Sequence, residues 1–185
     1  LMTQSLSRRV VAITGALGNL GETLADMAAA RGADLVLIDQ ATITLPSSHN
    51  RLVLSGIDLT SFADCQEVAH QINRYFGRLD ALVNGAGGYA WEPLLGGAIE
   101  AWDRLYSLNL RTALNASKAL LPLLLQSSAG RIVNIGASMA ARAGLGMGAY
   151  AASKSSVLRL TESLAEELKD MSITVNAVLP SVLDT

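Results

Sequence analysis

Short apolar runs alternate along this chain with longer segments in which apolar residues recur every three or four positions. The runs "RVVAIT" (9–14), "DLVLID" (34–39), "RLVLSG" (51–56), "LDALVN" (79–84), "GRIVNIG" (130–136) and "ITVNAVLP" (173–180) predict six strands. Most are apolar at successive positions, the pattern of strands covered on both faces. Helices are predicted at about 19–31, 61–76, 99–127 and 149–170. Gly32 stands where a C-terminal cap belongs and Thr60 or Ser61 where an N-cap belongs. Pro122 is expected to kink or end the third helix. Repeated βαβ units make a parallel, doubly wound α/β sheet in three layers the economical fold.

Composition narrows the function. With 185 residues, 50% hydrophobic and 16% charged, the chain suits one well-buried domain over 1–185. The net charge of −2 comes from scattered residues with no basic run, which argues against nucleic acid. The longest apolar runs, such as "ALLPLLL" (119–125), fall far short of the ~20 residues of a membrane helix, and no charged-then-apolar leader opens the chain. No membrane partner is expected, and a cytoplasmic location is. Cys65 is alone, and His49 and His70 fit no ligand spacing, so neither a disulfide nor a metal site is expected.

Ligands of a doubly wound sheet bind beyond the carboxyl ends of its strands. After the first strand comes "TGALGNLG" (14–21), whose Gly15, Gly18 and Gly21 lead into a helix. Such glycines let backbone approach a pyrophosphate, and the helix N-terminus supplies free N–H groups. The second strand ends in Asp39, placed to accept from an adenosine ribose; with Gln40 next, it would repel a 2′-phosphate, so NAD is expected over NADP. Tyr150 and Lys154 lie four apart on one helix face. A tyrosine is a sluggish proton donor or acceptor near neutrality, and the lysine ammonium is expected to favour phenolate. Asn109 sits in an otherwise apolar helical segment, where its amide needs partners.

The motifs "TGALGNLG", "DLT" (58–60), "NGAG" (84–87), "WDRLYSLNL" (102–110), "YAASK" (150–154) and "PSVLDT" (180–185), in that order, resemble the short-chain dehydrogenase/reductase family over almost the whole chain. The resemblance implies a Rossmann-like fold and an NAD-dependent oxidoreductase. It would move a hydride between the nicotinamide and an alcohol or carbonyl carbon, with Asn109, Tyr150 and Lys154 at three of four catalytic positions. It also implies that Asn109 holds a water in a proton relay and that Lys154 holds the nicotinamide ribose. The resemblance further places Asn19 and Leu20 of the glycine loop, Asp58 and Leu59 beside the adenine, and Asn84, Gly85, Ala86 and Gly87 beside the cofactor, with Pro180 and Thr185 near the nicotinamide. Association into a homodimer or homotetramer is implied as well. The alternative is an NAD(H)-binding relative with impaired chemistry, acting as a sensor or assembly subunit.

Three departures from the family pattern carry weight. Asn19 stands where short members more often place glycine, and the chain stops at Thr185, where relatives continue into a substrate segment and a last strand. The C-terminal part of the family fold is therefore expected to be absent from this chain, which reads as part of a longer protein. The family serine, 13 residues before the tyrosine, is replaced by Ala137, while Ser138 is only 12 before it. Glycine spacing and this alanine resemble the dihydropteridine reductase branch, so Ser138 is a doubtful fourth catalytic residue. In "GYAWEPLLGG" (88–97), Tyr89 and Trp91 either line an apolar pocket or pack the loop.

Overall fold

The computed structural model describes residues 5–42 and 46–181. Among them six parallel strands, β1 (Val10–Thr14), β2 (Asp34–Ile38), β3 (Arg51–Leu54), β4 (Ala81–Asn84), β5 (Gly130–Ile135) and β6 (Ile173–Val178), form one sheet in the order β3-β2-β1-β4-β5-β6. This is the expected doubly wound α/β sheet. All six lie where the apolar runs placed them, with ends trimmed by a residue or two.

The helices are α1 (Asn19–Ala29), α2 (Phe62–Phe76), α3 (Glu100–Tyr106), α4 (Thr112–Leu124) and α5 (Gly148–Glu167). Successive residues of β1 point to opposite faces, and both faces are covered. Val10 and Ala12 join a core with Val68 and Ile72 of α2 and Leu120 and Leu124 of α4, while Val11 and Ile13 join a smaller core with Ala25 and Ala28 of α1. Burying a side chain such as Ile72 contributes about 1.5–3 kcal/mol, so these two layers set the strand register.

Local signals end the helices as expected. Gly32 takes φ +84°, its N–H donates to the Ala29 carbonyl and that of Ala33 to the Ala28 carbonyl, which together close α1. Ser61 caps α2 by accepting from the Asp64 N–H.

One expectation needs correction. The segment 99–127 is not a single helix, because the five residues Ser107–Arg111 form a π-helical turn between α3 and α4. The Thr112 N–H donates to the Ser107 carbonyl, five residues back. Pro122 lies inside α4, which runs only two residues further.

Candidate active site

A cleft of about 460 Å³ opens at the carboxyl ends of β1, β2 and β4, lined by Gly15, Gly18, Asn19, Leu20, Gly21, Asp39, Asp58, Leu59, Gly85, Ala86 and Gly87 among others. The three glycines of the first loop are there for different reasons. Gly15 takes φ +66°, and a Cβ on it would stand 2.9 Å from the Ala86 nitrogen. A Cβ on Gly21 would come within 2.2 Å of the Gly15 carbonyl oxygen, so this glycine lets α1 pack against the loop. A Cβ on Gly18 would meet nothing in the protein closer than 3.6 Å. No side chain caps α1 at Gly18, so the N–H groups of its first turn have no acceptor in the helix.

Neighbouring polar groups hold the cleft's walls. Asp39 accepts from the Leu17 N–H at 3.0 Å and from the Ala41 N–H at 2.9 Å, tying the glycine loop to the end of β2 and leaving each oxygen a second lone pair. The Thr14 hydroxyl accepts from the Gly85 and Ala86 N–H groups, both at 3.1 Å. Asn115 donates to the carbonyls of Leu59 and Thr60 and fastens the turn before α2 to α4. Asp58 accepts from the N–H and hydroxyl of Thr60.

Asn84 is not among the residues lining the cleft. Its amide donates to Ser117 and Asn134 inside the protein, and Asn134 donates onward to Thr161. It braces β4 against β5 and α4, beside the cleft that Gly85 to Gly87 line.

At the far end of the cleft, Gly87 links it to the polar cluster of α5. A Cβ there would lie 2.6 Å from Asn109 Oδ1 and 3.4 Å from Lys154 Nζ. The π turn carries Asn109, which is buried; its Nδ2 donates to the Gly88 carbonyl at 3.0 Å and to Ser153 Oγ at 2.9 Å, and its Oδ1 accepts from the Gly88 N–H at 2.9 Å. Ser153 donates in turn to the Tyr150 carbonyl. A widened turn re-aims its side chains, which is how this polar residue finds partners on both sides.

Lys154 is buried and donates to the Ile135 carbonyl at 2.8 Å, and burial lowers its pKa to about 8. Tyr150 moves the other way: burial first, and the Tyr89 phenol second, push it above its ordinary value. The expected lowering of Tyr150 by Lys154 is therefore not seen in the chain alone, because desolvation opposes the phenolate and the ammonium is engaged with a carbonyl.

Ser138 opens a short 3-10 turn, its N–H donating to the Pro180 carbonyl at 2.8 Å. Its hydroxyl has no hydrogen bond among the described residues. Ala137, in extended conformation, is buried at 6% exposure. Pro180 lies past the end of β6 and does not line the cleft, and Thr185 falls outside the described residues. Thr14, Asn115, Ser117, Asn134 and Ser153 were missed in the sequence. The available signal was a polar residue inside an apolar strand or helix, which must find a partner.

The sequence matches the family profile described as short chain dehydrogenase over residues 9–185. The chain belongs to the short-chain dehydrogenase/reductase family. A 3-oxoacyl-[acyl-carrier-protein] reductase of Escherichia coli is 29% identical over 181 residues, which span 96% of this chain and 74% of that protein. An NAD+-bound xylitol dehydrogenase superposes with a TM-score of 0.88 at 26% identity, covering 98% of this chain and 73% of its own. A short-chain dehydrogenase from Shigella flexneri, complexed with NADP, gives 0.88 at 28% identity, covering 97% and 80%. Members of this family thus use either dinucleotide, and this chain spans about three quarters of the length of the relatives it matches. Among the described residues no helix is long and apolar enough to cross a membrane, and no cluster of three potential metal ligands exists.

Proposed function

We propose that this short-chain dehydrogenase/reductase transfers a hydride between NAD(H) and an alcohol or carbonyl carbon, with Tyr150 exchanging the proton at the substrate oxygen. The observation that carries this reading is the position of Gly87, which lines the nucleotide cleft and whose Cβ position lies 3.4 Å from Lys154 Nζ. A dinucleotide laid along the cleft would end beside the Tyr150–Lys154 helix face.

The residues present fit such a cofactor. Gly18 has no packing reason to be glycine, so the open space over its backbone suits a pyrophosphate, and the first-turn N–H groups of Asn19, Leu20 and Gly21 would donate to it. Asp39 has a free lone pair on each oxygen for the ribose hydroxyls. The bound nicotinamide supplies or takes the hydride. Tyr150, held protonated, would give its proton to a carbonyl oxygen, and Lys154, one turn on, would hold the nicotinamide ribose and carry positive charge toward the phenol. The Asn109 amide hydrogens are committed to Gly88 and Ser153, so a relay water at Asn109 would meet the main chain of its turn rather than the amide N–H groups. Ala137 in place of the family serine, a feature resembling the dihydropteridine reductase branch, supports a reading in which Tyr150 works without a serine partner. A reactive, quinonoid-like acceptor suits that arrangement.

Two expected results test the cofactor side. Gly18→Ala should weaken NADH binding at least tenfold, about 1.4 kcal/mol, with an unchanged melting temperature, because the added methyl meets only the ligand. Equal NADH affinities by fluorescence titration would refute the cradle. Calorimetric titration should also show NADH bound at least tenfold tighter than NADPH, since Asp39 repels a 2′-phosphate. Gln40→Arg should narrow that gap, and is cleaner than replacing Asp39, which also anchors Leu17. A screen of secondary alcohols, ketones and quinonoid acceptors with NAD and NADH tests turnover itself.

A further inference from the structure

Tyr89 is 56% exposed and lies on the loop between β4 and α3, yet its ring stands edge-on to that of Tyr150, with centroids 5.1 Å apart and planes at 83°. An exposed ring on a free loop would sample many orientations. This loop is not free. Two residues on, the Trp91 indole N–H donates to the Leu145 carbonyl at 3.2 Å, and the Glu92 N–H donates to the Gly146 carbonyl at 2.7 Å. Gly146 takes φ +70°, and a Cβ on it would stand 2.3 Å from the Trp91 indole nitrogen. The loop before α3 and the loop before α5 are thus stapled together beside Tyr150, and Gly146 is glycine so that the indole can lie against its backbone.

We propose that Tyr89, held by the Trp91–Gly146 staple, is a positioning residue for Tyr150, fixing the orientation of its ring and so the direction in which its phenol points. The inference rests on the reading of Tyr150 as the proton-exchanging group. Edge-to-face pairs of this geometry prefer one orientation of the ring. Once ionised itself, Tyr89 would also oppose a negative charge on Tyr150, an effect second to burial. The other charged groups on elements around Tyr150 are Lys154, Arg159, Glu162, Glu166 and Glu167 on its own helix, Glu92 on the stapled loop, Arg142 before α5, Arg111 on the π turn, Arg131 on β5, and Glu100, Asp103 and Arg104 on exposed positions of α3. Of these, Lys154 is committed to the Ile135 carbonyl and Glu92 accepts from the Ala98 N–H.

The test needs no substrate. The chain has four tyrosines, so labelling their Cζ atoms with carbon-13 gives four resonances, and Tyr150→Phe assigns one. Tyr89→Ala should shift the Tyr150 resonance toward that of a solvated tyrosine and lower its titration midpoint. Tyr89→Phe should keep the parent shift at neutral pH, because the ring remains. Gly146→Ala should reproduce the shift change of Tyr89→Ala from a distance by pushing out Trp91. Circular dichroism and NADH affinity close to the parent's confirm that each variant is folded. A Tyr150 resonance that ignores Tyr89→Ala or Gly146→Ala, or that moves as far in Tyr89→Phe as in Tyr89→Ala, overturns the proposal. Full turnover in Tyr150→Phe would instead overturn the reading of Tyr150 itself, whatever its resonance does.

Discussion

Replacing Tyr150 with phenylalanine is expected to lower kcat at least a hundredfold while leaving the NADH dissociation constant within about threefold. A positioned proton donor contributes roughly a hundred- to ten-thousandfold, and phenylalanine keeps the ring that packs edge-on against Tyr89 while deleting only the hydroxyl. Lys154→Ala should behave differently, losing both turnover and NADH affinity, because its ammonium would face the cofactor and its removal also leaves the Ile135 carbonyl without its donor. Ser138→Ala is expected to change kcat/KM less than fivefold, under about 1 kcal/mol of transition-state stabilisation, since its hydroxyl makes no hydrogen bond among the described residues. Steady-state kinetics with fluorescence titration of NADH separate the three. Near-normal rates in Tyr150→Phe would end its assignment, and a hundredfold loss in Ser138→Ala with NADH binding intact would make Ser138 the fourth member of the site.

The largest effect on stability is expected at the opposite end of the sheet. Asp80, 3% exposed at its side chain, accepts from the Val10 N–H at 2.9 Å, from Ser127 at 2.7 Å, from Arg78 at 2.6 and 3.0 Å and from Arg9 at 3.0 Å. Burial alone would raise its pKa, but the Arg78 guanidinium, the Val10 N–H, Ser127 and Arg9 outweigh burial and hold it at about 2. Asp80→Ala leaves the two arginines half in water, where they rehydrate, but strands the buried Val10 N–H and the Ser127 hydroxyl. The cost should be about 3 kcal/mol, or a fall of roughly 6–12 °C in melting temperature. The folded pKa lies below the unfolded value of about 3.9, so this stabilisation is complete above pH ~4 and fades as pH falls toward 2. Some 2 kcal/mol should be lost across that window, and the Asp80→Ala variant should show a correspondingly flatter profile in denaturant titrations at pH 5 and pH 2.5.

Strands and helices were legible because burial on both faces of a parallel sheet leaves a direct mark, as in the unbroken apolar run of β1, and because caps such as Gly32 and Ser61 act within a few residues. The π turn at Ser107–Arg111 left no comparable mark. Its residues are ordinary helix formers, and the extra residue in the turn is favoured only once Gly88 and Ser153 are in place to receive Asn109. The polar chain through Asn84, Asn134 and Thr161 was visible only as polar residues lacking obvious partners, since those partners lie 27 and 50 positions apart.

The sequence by itself determined the family, the order of the elements, and that the glycine loop and the ends of β2 and β4 meet at one cleft, because each follows from local spacing and from the sheet topology that spacing enforces. Tertiary structure alone decided the state of the site's groups. Lys154 sits near a pKa of 8 and Tyr150 above its usual range through burial, and Asp39 doubles as an anchor for the glycine loop. Tyr89, half-exposed on a loop, meets Tyr150 because Trp91 and Gly146 close two distant loops on each other. Desolvation and contacts between segments far apart in the chain depend on what surrounds a residue in space, and spacing along the chain does not record that.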